Sequence, residues 1–151
     1  MIKFRILNYA VLIIAALCIL AATLFGMMLF VEYSNPEILL STTMVFAKIL
    51  LLAISLSFIK QACGMFLRHG YFNTKSARYL TVGGYTLAAS ALTTLIPNMF
   101  YISDITRERA SYFLIEVIYD ITVLLVGLAL LGVSDIVKKG INIKLENDLT
   151  I

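Results

Sequence analysis

Charge is what this sequence has least of. Asp, Glu, Lys and Arg make up 14% of its 151 residues, where soluble domains carry about 25%. Hydrophobic residues make up 61% and mean hydropathy is +0.96. A water-soluble fold of this size could not cover so much apolar surface, so lipid is the expected solvent for most of the chain. That excludes a soluble enzyme and a disordered protein, and it argues against direct contact with nucleic acid. Cysteine is scarce as well. Cys18 and Cys63 fall at different expected depths and cannot easily bridge, which excludes a disulfide-stapled secreted domain. His69 is the only histidine. No Cys, His and carboxylate group has metal-ligand spacing. Neither a Gly-rich phosphate loop nor a nucleophile elbow is present. These absences predict a non-catalytic protein with no cofactor and no metal.

What is present is a set of long apolar runs. Residues 6–31 carry no charge. As a helix they would be about 39 Å long, against a hydrocarbon core of roughly 30 Å. This run is far longer than the apolar core of a signal peptide, and bulky Leu17 before Cys18 argues against a lipoprotein cleavage site. It reads as a retained first helix. Residues 38–59 are interrupted only by Lys48, and 79–103 carry no charge. A fourth span over 113–134 must take in Glu116 and Asp120, and its helix is expected over 113–137. The expected fold is an all-α membrane protein, a four-transmembrane-helix antiparallel bundle in one domain. A connection over 60–78 and a tail over 138–151 lie outside the lipid.

Basic residues set the orientation. Lys3, Arg5, Lys60, Arg68, Lys75, Arg78, Lys138, Lys139 and Lys144 all fall on one side of a four-span chain. Arg107 and Arg109 fall on the other, beside Asp104 and Glu108. Both termini and the middle connection are therefore expected in the cytoplasm. Aromatic residues fit an interfacial belt, with Tyr33, Phe100, Tyr101 and Tyr112 at the outer ends and Phe4, Phe66, Tyr71 and Phe72 at the inner ends.

Four groups of residues stand out against this frame. Ionisable groups inside a membrane are costly and face a partner or water. Lys48 lies about 15 Å into helix two and Asp120 about 10 Å into helix four, on the same side. A Lys side chain can snorkel several ångströms, so the two can meet. Glu116 precedes Asp120 by one turn and shares its face. An interhelical ion pair that fixes packing is favoured over a proton or ion relay, because a relay needs further polar groups. Asn8, Thr23 and Asn98 are the obvious extras. Second, Gly83, Gly84 and Ala88 form a small-residue face on helix three, and Gly127 is a further small position on helix four. Packing within the bundle is favoured over a dimer interface. Third, Gly70 punctuates the end of helix two, Asn73 or Thr74 can cap helix three, and Phe72 can pack back onto the following turn. Arg68, Phe72, Lys75 and Arg78 either face anionic headgroups or dock a cytoplasmic partner. Fourth, Gly140 is expected to end helix four. The segment beyond it alternates apolar and polar residues through Leu145, then closes on Glu146, Asp148, Leu149, Thr150 and Ile151. Such a tail would lie on the membrane surface or add as a strand to a partner.

The run from Leu67, Arg68, His69, Gly70, Tyr71 and Phe72 through Ala77, Arg78, Tyr79 and Leu80 to Gly83 and Gly84 resembles a pattern in small bacterial membrane proteins, the domain of unknown function 2975 family. The end of the chain resembles it too. Asp120 precedes a run with Leu124, Leu125, Gly127 and Leu128, followed by Val137, Lys138, Lys139 and Gly140. The closing Glu146, Asn147, Asp148, Leu149, Thr150 and Ile151 are the most specific piece. Helix one matches only in hydrophobicity, and the pattern departs at Tyr71, where a small residue or Pro would stand. The resemblance implies a four-helix protein of the bacterial inner membrane with no assigned reaction. Genes of such proteins often lie beside one for a small helix-turn-helix regulator. A regulatory or interaction protein, anchoring such a regulator, is therefore the leading expectation. A small proton- or ion-coupled transporter acting as a homodimer is the alternative.

Overall fold

The computed structural model describes residues 2–31, 36–69, 73–100 and 110–149. These form four helices: α1 (Ile2–Val31), α2 (Pro36–His69), α3 (Thr74–Phe100) and α4 (Ala110–Leu149). Each is long and apolar enough to cross a membrane. At 30, 34, 27 and 40 residues, α1 and α3 are about 40–45 Å long, while α2 and α4 reach about 50 and 60 Å.

The helices overrun the apolar segments that announce them. The expected 60–78 connection is corrected: α2 continues to His69 and α3 begins at Thr74. Charge marks where the apolar run stops, and Lys and Arg are good helix formers, so Lys60, Arg68, Lys75 and Arg78 all lie within helices. The expected end of α4 at Gly140 is corrected likewise, since the helix runs on to Leu149. A helical Gly costs about 1 kcal/mol, but Val137 and Ile141, one turn apart, both pack on a core of Ala62, Ala77 and Leu80. That tertiary contact carries the helix through Gly140. The apolar and polar alternation after it is therefore not a strand.

The start of α3 is capped by Asn73. Its side-chain oxygen accepts from the Lys75 N–H at 2.9 Å, and its carbonyl accepts from the Ala77 N–H and the Ser76 hydroxyl. Asn73→Ala should lower stability by about 1 kcal/mol, read as a shifted unfolding midpoint in detergent.

Among the described residues the helices pack only on their chain neighbours: α1 on α2, α2 on α3, and α3 on α4. α3, held between two partners, buries Ser76, Leu80, Gly83, Leu87 and Ser90 along one seam. Among the described residues the largest fully buried side chains are polar: Asp120, Ser55, Ser76, Ser90 and Ser134. Each is hydrogen-bonded. Ser55 donates to the Gly83 carbonyl at 2.8 Å, and Ser134 to the Ala77 carbonyl at 2.8 Å while meeting the Thr81 hydroxyl at 2.7 Å. Large apolar side chains such as Ile13, Leu20, Met27, Ile118 and Leu125 are exposed. Hydroxyls between helices and bare Leu and Ile outside suit lipid as solvent, because apolar surface of this extent is not left facing water.

Candidate functional site

Asp120 is the centre of the molecule's polar interior. Its side chain is 0% exposed. Lys48 Nζ of α2 donates to Oδ1 at 2.5 Å, and the Thr94 hydroxyl of α3 donates to Oδ2 at 2.6 Å. One carboxylate of α4 thus ties three helices together, each of its oxygens held by a different one. The Lys is needed for its length, since α2 and α4 do not themselves pack. The Lys48 ammonium also lies 5.2 Å from the centre of the Tyr119 ring, within cation–π range.

Glu116 is corrected as a member of this group. It is exposed, and among the described residues Lys48 pairs with Asp120 alone. Four residues span 400° of helix, so a 40° offset from Asp120 is enough to put Glu116 outside the seam. Of the further polar groups, Thr23 turns back on its own helix and donates to the Leu20 carbonyl. Asn8 Oδ1 and Asn98 Nδ2 are buried without a hydrogen-bond partner, a condition worth about 1–3 kcal/mol per atom. None of these three joins Asp120. Thr94 and Tyr119, which do lie at the pair, were not legible as members. Thr94 sits one turn beyond Ser90 in an i, i+4 row of hydroxyls, the signal that could have found it.

The small residues lie between α3 and α4. A Cβ added to Gly84 would come 2.9 Å from the Gly127 carbonyl oxygen and 2.9 Å from Leu131 Cδ2. One added to Gly127 would come 3.0 Å from the Ala88 nitrogen. Gly84, Ala88 and Gly127 therefore form one backbone-to-backbone approach. Gly83 faces α2 instead, where an added Cβ would lie 3.3 Å from Ile59 Cγ1.

The residues singled out for docking lie at the end of α2, the start of α3 and the end of α4. Arg68, Lys75, Arg78, Glu146 and Leu149 are exposed, with Leu149 at the far end of α4. Gly70, Tyr71, Phe72, the Asp148 side chain, Thr150 and Ile151 lie outside the described residues. Cys18 and Cys63 are free thiols. Among the described residues no group of His, Cys, Asp and Glu could hold a metal ion.

Four apolar helices joined through an internal carboxylate and small-residue contacts fit the class of multi-pass integral membrane proteins. Within that class, residues 29–151 match the family model described as "Protein of unknown function (DUF2975)", and the chain belongs to that family. The match starts near the end of α1 and takes in α2, α3 and α4 entire. No match is found among curated proteins or solved structures.

Proposed function

We propose that the protein is a non-catalytic, multi-pass protein of the bacterial inner membrane that holds a cytoplasmic partner at its basic end. The helices form an antiparallel bundle with both termini in the cytoplasm. Support for that arrangement comes from the paired positions. Ser55 meets Gly83 while Phe58 stacks on Tyr79. Thr81 meets Ser134 while Thr94 meets Asp120. In both cases the partners run in opposite chain directions.

The observation that carries the reading is the length of α4. Its 40 residues make about 60 Å of helix, twice the hydrocarbon thickness. Beyond the Ile141 contact it carries exposed Ile143, Leu145 and Leu149 among Lys144 and Glu146. A projecting helix with apolar positions suits helix-in-groove recognition. The family's association with small helix-turn-helix regulators makes such a regulator the partner to test. In lipid nanodiscs, truncation after Asn142 keeps Ile141 on its core and should weaken binding of a small helix-turn-helix regulator at least tenfold. Equal affinity for full-length and truncated protein would overturn the proposal.

The alternative, a proton- or ion-coupled transporter working as a homodimer, draws on Lys48 and Asp120 as ionisable groups within spans. Engagement of both Asp120 oxygens by Lys48 and Thr94 favours a packing role. Loss of proteoliposome flux in Asp120→Asn, with folding intact, would reverse that preference.

A further inference from the structure

At the basic end, α1, α2 and α3 border a cleft of about 410 Å³. This lies within the usual size of small-ligand sites. Its chemistry is cationic and polar. Lys60 and Arg68 of α2 line it, with Asn8 of α1 and Tyr79 of α3 on the other walls. Lys60, Gly64 and Arg68 follow at i, i+4 and i+8, so the two bases flank Gly64 on one face, each about 6 Å from it along the axis. A Cβ built on Gly64 meets nothing within 4 Å, so the floor between the bases is open. Among the described residues no carboxylate pairs with Lys60 or Arg68.

Bases without a carboxylate partner call for an anionic oxygen. The level of the cleft narrows the choice. Lys60 directly follows the charge-free run 49–59, Asn8 lies at the start of the run 6–31, and Tyr79 opens the run 79–103. Three apolar segments thus meet their polar ends at the cleft, which is the depth of lipid phosphates.

We propose that this cleft binds the phosphate of an anionic glycerophospholipid, with Lys60 and Arg68 neutralising the phosphate. The site rests on the reading of the chain as membrane-spanning. Arg68, for which the sequence leaves headgroup contact and partner docking both open, is here a lipid ligand.

The test is native mass spectrometry of the detergent-purified protein with phosphatidylglycerol, phosphatidylcholine, or glycerol 3-phosphate and inorganic phosphate in solution. Wild type should retain one phosphatidylglycerol per chain, at least tenfold over phosphatidylcholine, and should not retain the soluble phosphates. Lys60→Gln with Arg68→Gln should cut retention at least tenfold. Gly64→Leu, which changes no charge and fills the open floor, should do the same. Lys139→Gln with Lys144→Gln, the same loss of charge elsewhere, should leave retention unchanged. Circular dichroism and elution volume verify that each variant is folded. Equal retention by wild type and both cleft variants would overturn the site, and so would a similar loss in the Lys139 and Lys144 control. Retention of soluble phosphate without lipid preference would overturn the lipid as its source. Alkaline carbonate extraction separates the two levels of the argument. A chain that stays in the membrane pellet but holds no phosphatidylglycerol overturns the site alone, whereas a chain released by carbonate overturns the membrane reading with it.

Discussion

Lys48→Met is expected to destabilise the protein by about 3–5 kcal/mol, the range seen when one member of a buried ion pair is removed. The cause is the partner left behind. Asp120 is fully buried, and without Lys48 its carboxylate keeps only the Thr94 hydroxyl on Oδ2. Asp120→Leu should be as damaging, because it strands the Lys48 ammonium among apolar helices. The double variant Lys48→Met with Asp120→Leu should recover most of the loss, since an apolar replacement of a whole buried pair is often neutral. A double-mutant cycle on unfolding midpoints in mixed micelles measures this directly. A double variant as unstable as the sum of the singles would mean that the pair does not act as a unit. Full stability of either single variant would mean that Asp120 does not join the helices as the geometry implies.

Gly127→Leu is the second large effect. Any side chain at this position meets the backbone of Ala88 and the Gly84 carbonyl at 3.0 Å, and backbone cannot turn aside as a flexible side chain can. α3 and α4 would have to separate, which also stretches the bonds from Thr94 to Asp120 and from Ser134 to Ala77. Overpacking typically costs about 1–3 kcal/mol, and loss of these bonds places Gly127→Leu at or above the top of that range. Gly132→Ala is the matched control. Nothing lies within 4 Å of a Cβ built at Gly132, so the helix should gain up to about 1 kcal/mol from propensity alone. Thermal unfolding of the two variants in one detergent should move in opposite directions. A Gly127→Leu protein as stable as wild type would mean that α3 and α4 do not meet backbone to backbone.

The two effects mark different limits of what could be read from the chain. Lys48 and Asp120 were legible as a pair because each is a charge set in an apolar run, and helical rise alone gives both depths. Thr94 was not, because a hydroxyl is tolerated anywhere on a membrane helix, and only its position opposite Asp120 distinguishes it from Thr93, which bonds its own helix at the Ala89 carbonyl. Gly84 and Ala88 announce a close approach, but not whether Gly127 lies on the other side. The cleft beside Gly64 was hidden altogether, since it joins residues of three helices that are distant in the chain.

By itself the sequence determined the number of apolar helices, their order and which of them carry an internal charge. All of these follow from the free energy of each segment in lipid, which is a local property of composition. Tertiary structure decided which side of each helix faces a neighbour and where each helix stops. These helices are apolar all round, so no amphipathic stripe points inward, and lipid gives Leu and Ile no reason to prefer the interior. Inward faces are set instead by hydroxyls, glycines and one carboxylate finding partners on other helices. Helix ends are set the same way, by contacts such as Val137 and Ile141 on Ala62, Ala77 and Leu80, which carry α4 past a glycine where local propensity alone would have ended it.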